Sequence, residues 1–193
     1  MNRPPLRQRS SAADRPSRRV YPAALEAQLL PLRAQAIVWD LEGALFFGNA
    51  DRVLALADTL PADARVLVVD LKRVTFIDES GAAALATLGR TLQQRAVPVL
   101  LSGLLPDGAP ARAMAAIAAD LPQWPDADQA VEAAERRLLG AQADQLLAAQ
   151  ALAESALLKG LPPEQQAVVH GLMHSVHLQG GQTLFNQGDA ANG

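Results

Sequence analysis

The residues best placed to do chemistry lie together at Asp78-Glu79-Ser80-Gly81, inside "VLVVDLKRVTFIDESGAAALATLGRTL". An apolar run ends there, two carboxylates follow, then a hydroxyl, a glycine and an alanine-rich tract. Three kinds of chemistry suit this pattern. Asp and Ser are preferred helix N-caps, and acidic side chains suit the positive end of a helix dipole. A serine nucleophile needs a base within reach, but the histidines, His170, His174 and His177, lie far along the chain. The Gly-x-Ser-x-Gly elbow is also absent, with Asp78 at the first glycine position. A phosphorylatable serine is the third reading: phosphate on Ser80 would add about −1.5 to −2 charge beside Asp78 and Glu79 and change a docking surface. Capping and phosphorylation are compatible.

The chain that must position this corner has 193 residues, half of them apolar, with 4% aromatic and a net charge of −3. The core is therefore aliphatic and helix-rich, and the charge makes no case for nucleic acid. Lack of cysteine excludes disulfides and thiolate metal sites. No run of 18 apolar residues and no apolar leader segment occurs, so the expected compartment is the cytosol. His170 and His174 have i, i+4 spacing, but Gly171 replaces the Glu of a His-Glu-x-x-His motif, so no metal site is expected.

Residues 1–22 carry Arg3, Arg7, Arg9, Arg15, Arg18 and Arg19 against Asp14, with Pro4, Pro5, Pro16 and Pro22. They read as a mobile basic arm, able to lie on an anionic membrane through Arg15, Arg18 and Arg19. "AIVWDLEG" (36–43) reads as a strand with Ile37, Trp39 and Leu41 on one face. "ALFFG" (44–48) reads as a second strand after a Glu42-Gly43 turn. A helix follows over about 50–60, capped by Asn49. "RVLVVDL" (65–71) suits a strand buried on both faces, with a loop from Lys72 to Ser80. A helix over 80–95 has Leu85, Leu88 and Leu92 as its stripe. Residues 97–103 form a further strand, 111–119 a short helix, and Trp124 an edge strand. Residues 126–158 are helical, with a break at Gly140. Leu139, Leu146 and Ala153 fall seven apart. Another short helix follows Pro162-Pro163. The order of elements, helices between apolar strands, implies an α/β layer fold with its working loops at strand carboxyl ends.

Residues 66–88 resemble the signature of STAS domains, the sulfate-transporter and anti-sigma-factor-antagonist module, and the resemblance extends over about 35–140. It implies an anti-sigma-factor-antagonist-like fold, a mixed sheet covered by helices, with no catalysis, no cofactor, and an interaction loop at Asp78, Glu79, Ser80 and Gly81. Ser80 matches the residue that a partner kinase phosphorylates in anti-anti-sigma members. Glu79 stands where those switch proteins usually carry a hydroxyl residue, so its fixed charge resembles a partial phospho-mimic. "LEGALFFGNADRV" and "RPSRRVYP" are similar to the opening stretch and basic linker of STAS domains in bacterial SulP transporters. The resemblance thus implies the cytosolic regulatory part of an inorganic anion (sulfate) transporter, at the cytoplasmic face of the inner membrane. The alternative is a free anti-sigma-factor antagonist switched at Ser80. The implied partners are a transporter's membrane domain or an anti-sigma kinase.

The tail from 159 resembles the start of a cyclic-nucleotide-binding domain, with Gly181, Leu184, Gly188 and Asp189 matching, and so implies an incomplete β-roll fragment. The later phosphate-holding cassette is absent from the sequence, so no cyclic nucleotide is expected to bind. The expected organisation is an arm at 1–22, a STAS domain at 23–140, a linker helix at 141–158 and the fragment at 159–193.

Overall fold

A computed structural model describes residues 5–140, 158 and 160–172. The chain divides into two compact units, Met1–Ala148 and Ala149–Gly193.

In the first unit the order is β1 (Leu6–Ser11), α1 (Ala23–Leu29), β2 (Ala36–Leu45), α2 (Phe47–Ala55), β3 (Val66–Ile77), α3 (Glu79–Gln94), β4 (Val99–Ser102), α4 (Ala109–Ile117), β5 (Gln123–Trp124) and α5 (Ala127–Leu139). The strands form one sheet in the order β1-β2-β3-β4-β5. β1 runs antiparallel to β2, and the other pairs are parallel. This is the mixed sheet covered by helices that the sequence implied.

Period-2 alternation divides the core. Ile37, Trp39 and Leu41 of β2 and Leu67, Val69 and Leu71 of β3 face α2, α3 and α4. Val38, Val66, Val68 and Leu100 face the other way and pack with α1 and α5. β3 is the middle strand and is buried on both faces over Val66–Leu71. Leu85, Leu88 and Leu92 of α3 are all buried.

Three expectations are corrected here. The first is the mobile arm. Leu6–Ser11 form an edge strand in register with Ile37 to Leu41. Ala12, Ser17 and Tyr21 are buried. The arginines hold this segment down: Arg9 Nη1 donates to Thr59 O at 2.8 Å, and its guanidinium lies 5.6 Å from the Trp39 ring centroid. At the turn after β1, the Ser11 hydroxyl and backbone N–H donate to Asp14, which holds the Asp14 carboxyl below its ordinary range.

The second is the pair of strands at 36–43 and 44–48. They are one ten-residue strand, bent and not turned, because β3 bulges opposite it at Asp40/Glu42 and Gly43/Ala44. Gly43 takes the positive φ of 82° that this bend requires.

The third is the Lys72–Ser80 loop. β3 continues to Ile77, so the connection to α3 shrinks to Asp78. Helix α2 likewise begins at Phe47, before Asn49. Asn49 caps it from inside the first turn, its Oδ1 accepting from Phe46 N–H at 2.9 Å and its Nδ2 donating to Ala44 O at 2.7 Å.

In the second unit α6 (Pro163–Leu172) is the helix expected after Pro162-Pro163. The linker helix at 141–158, apart from Leu158, lies outside the described residues. So do His174, His177, Gly181, Leu184, Gly188 and Asp189. Among the described residues no helix is long and apolar enough to cross a membrane.

A second buried feature ties the N-terminal segment to α5. Glu135 of α5 is 0% exposed. Its Oε1 accepts from Arg33 Nε at 2.7 Å and from Ser17 N–H at 3.4 Å, while Oε2 accepts from the Ser17 hydroxyl. Arg33 also pairs with Glu26 of α1, Nη2 to Oε2 at 3.1 Å and Nη1 to Oε1. Burial pulls the Arg33 pKa down, but the hydrogen bonds and charges of Glu26 and Glu135 outweigh it and hold it above its ordinary value.

Burial, and then the Glu135 and Glu132 carboxylates, push the Tyr21 phenol up, its hydroxyl lying beside Glu135. A raised phenol pKa favours the protonated folded state. That stability is fully present below the unfolded value near pH 10 and is lost as pH rises beyond it. Tyr21→Phe is expected to change stability at pH 7 by less than about 1 kcal/mol and to blunt the alkaline loss, read from urea midpoints across pH 7–11.

Candidate functional site

The corner at residues 78–81 is built by three elements. β3, the central strand, ends at Ile77, which pairs with Leu45 at the end of β2. Asp78 N–H donates to Leu45 O at 3.1 Å, so the chain leaves the sheet at a fixed point. Asp78 is the N-cap of α3: its Oδ1 accepts from Gly81 N–H at 2.8 Å, and its Oδ2 accepts from Phe47 N–H at 3.3 Å. One carboxylate thus closes the first turn of α3 and reaches the first turn of α2, where two sets of orphan helix N–H groups meet.

Gly81 is buried because α3 starts against β2. A Cβ there would stand 2.4 Å from Leu45 O and 2.7 Å from its carbonyl carbon. The glycine is required by close backbone approach. The sequence placed it in the interaction loop by resemblance, without this steric reason.

With Asp78 as cap, Ser80 is the second residue of the helix and its hydroxyl is not the cap. It is half-buried, and Glu79 beside it is exposed. The hydroxyl therefore stands at the rim of a helix N-terminus, where backbone N–H groups and the dipole favour an added anion while Asp78 and Glu79 oppose it.

What sequence reading missed is the apolar surround. Phe46, Phe47 and Phe76 are three of the chain's four phenylalanines. Phe47, which donates its N–H to Asp78, is 81% exposed, and Phe76, two residues before Asp78, is 48% exposed. The signal was present: "LFFG" and "VTFID" place aromatics at both strand ends in a chain poor in aromatics. The corner therefore presents two exposed rings, the side chains in which protein interfaces are enriched, beside carboxylates and a hydroxyl.

The membrane-surface arginines lie away from this corner, two of them in ion pairs and one held by its backbone alone. Arg15 Nη1 pairs with Asp40 Oδ2 at 2.9 Å, Arg19 pairs with Glu132, and Arg18 donates its backbone N–H to Asp128 Oδ1 at 2.9 Å. These contacts hold residues 15–19 to the fold, in place of the mobile arm that the sequence implied, and leave the Arg18 guanidinium unpaired among the described residues. Among the described residues no group of three or more His, Asp or Glu is arranged to hold a metal.

Residues 30–127 match the STAS domain, and the chain belongs to that family, found both in SulP transporters and among anti-sigma-factor antagonists. A protein described as Glutaminase 2, from Bradyrhizobium diazoefficiens, is 32% identical over 174 residues, 86% of this chain and 28% of its own length. The chain thus spans under a third of that relative. Among solved structures, a sulfate transporter family protein from Wolinella succinogenes is 24% identical, covering 63% of this chain and 91% of its own at a TM-score of 0.45. The anti-sigma factor antagonist SpoIIAA, in its unphosphorylated form, is 20% identical, covering 55% and 91% at a TM-score of 0.41.

Proposed function

We propose that this chain is a non-catalytic regulatory module that docks through the Asp78–Gly81 corner and its flanking phenylalanines, and that the surface it docks on belongs to a glutaminase-type enzyme. The observation that carries the second half is the extent of the Bradyrhizobium match. It runs over 174 residues, well past the 30–127 span of the STAS domain alone. Similarity that includes the flanking segments supports a shared arrangement of domains and not merely a shared fold. The sulfate-transporter reading drew on two stretches, "LEGALFFGNADRV" and the basic "RPSRRVYP"; the second lies in a folded segment where Arg15 and Arg19 are ion-paired, and the first still supports that reading. The antagonist reading retains one support, the half-buried Ser80 hydroxyl at a helix N-terminus beside exposed aromatic rings. The module's partner is a protein surface, and it works in the cytosol.

Reading the coding frame outward in both directions tests the assignment. A glutaminase-like domain in the same frame is the expected result. Membrane-spanning helices immediately upstream would replace this reading with the anion-transporter one. Phosphorylation of Ser80 would act on the same corner. Ser80→Asp is expected to leave the unfolding midpoint within about 1 kcal/mol of wild type, since an acid at the second helical position suits the dipole. It is also expected to weaken docking, because charge is added to an already acidic rim. Paired thermal melts and binding isotherms separate the two effects.

A further inference from the structure

Away from the 78–81 corner, a cleft of about 420 Å³ opens where β4 and β5 end and α5 begins. It is walled by Arg15 and Arg18 of the N-terminal segment, Asp70 and Lys72 of β3, and Asp126 and Asp128 at the start of α5. Its volume is that of a small-molecule pocket, and carboxyl ends of parallel strands are where α/β sheets bind ligands.

Its charges are interleaved. Arg18 N–H donates to Asp128 Oδ1 at 2.9 Å, Lys72 N–H to Asp70 Oδ1 at 3.1 Å, and Arg15 pairs with Asp40. Each cationic residue is thus seated on a carboxylate residue. Among the described residues the Arg18 guanidinium and the Lys72 ammonium have no ion-pair partner.

Asp70 is a carboxylate only 9% exposed. Both hydrogen bonds it accepts, from Lys72 N–H and from the Ser102 hydroxyl at 3.2 Å, go to Oδ1. The backbone is fitted closely around it. Gly103 has φ of 77°, and a Cβ there would lie 2.5 Å from Asp70 Oδ1 and 2.7 Å from Lys72 N.

A simple anion entering this cleft meets Asp70 and Asp128, and a simple cation meets Arg18 and Lys72. A ligand that carries both charges, on two groups attached to one carbon, meets neither penalty. The geometry points to a free α-amino acid as the ligand, its carboxylate on Arg18 and Lys72 and its ammonium on Asp70 and Asp128. The site is independent of the docking corner and goes beyond the regulatory reading by supplying a small-molecule input.

Calorimetric titration of the 193-residue chain with L-glutamine, L-glutamate and L-leucine tests this, since the three differ only in side chain. At least one is expected to bind in the millimolar range or tighter. Its N-acetyl and carboxamide derivatives, each lacking one charge, are expected to bind about tenfold or more weakly. Arg18→Gln and Lys72→Gln remove exposed head groups that pair with nothing in the fold. Each is expected to weaken binding about tenfold while leaving the ligand-free unfolding midpoint unchanged. The proposal is overturned if no amino acid binds, if either single-charge derivative binds as well as its parent, if the variants bind like wild type, or if inorganic phosphate binds as tightly as the amino acid.

Discussion

Arg33→Met is expected to lower stability by about 3–5 kcal/mol in urea or thermal unfolding. Glu135 is fully buried and its two oxygens are held by Arg33 and Ser17. Removing the guanidinium leaves that carboxylate with hydrogen bonds from Ser17 but no countercharge, in a site where it cannot hydrate. The size of the loss is the cost of an uncompensated buried charge and not the net worth of the pair. The double variant Arg33→Met/Glu135→Leu distinguishes these. Exchanging a whole buried pair for apolar groups of similar volume is often neutral or stabilising. The double variant should therefore recover most of the loss. If the double is as unstable as the single, the damage comes from lost packing, and the electrostatic explanation is wrong. A loss below about 1 kcal/mol for the single would place Glu135 in water.

Gly81→Ala should lower stability by about 1–3 kcal/mol, even though alanine is the better helix former by about 1 kcal/mol. The opposing term is steric. The new methyl would stand 2.4 Å from Leu45 O, and that carbonyl is fixed by the Asp78 N–H bond and by its place in β2. Gly89 of the same helix is the internal control. There the nearest atom, at 2.5 Å, is a terminal methyl of Leu121, a side-chain end that can rotate away. Gly89→Ala should therefore change stability by less than about 1 kcal/mol in either direction. Equal costs at the two positions would mean that helix α3 can shift on the sheet, and that Gly81 does not set the height of Ser80 above it.

The elements whose evidence is local were legible in the sequence. Val66–Leu71 is a continuous β-branched run, and it is the central strand, buried on both faces. Leu85, Leu88 and Leu92 carry a helical period, and all three are buried. Elements defined by distant partners were not legible. The sequence around β1 has six positions rich in arginine and serine and no apolar alternation. It is a strand because β2 offers an open edge and because Trp39 and Thr59 receive Arg9. The folded state of residues 12–21 depends on Glu135, more than a hundred residues away. Charge alone reads such a segment as a solvated arm. Similarly, Lys72–Ile77 looked like a loop for want of continuous hydrophobicity, yet pairing with β2 extends the strand to Ile77. At the corner itself residue types indicated the Asp78 cap, while the reason for Gly81 and the exposure of Phe47 and Phe76 are set by tertiary packing.

The central claim is that the acid-and-aromatic corner is a surface built for another protein domain. Isothermal titration of this chain against the part of the Bradyrhizobium Glutaminase 2 protein that lies outside the matched region measures it directly. The account predicts saturable binding that Phe47→Glu weakens about tenfold or more, because an 81% exposed ring leaves the core unaffected when replaced and only the interface loses it. Absence of binding, or equal binding by wild type and Phe47→Glu, would contradict it.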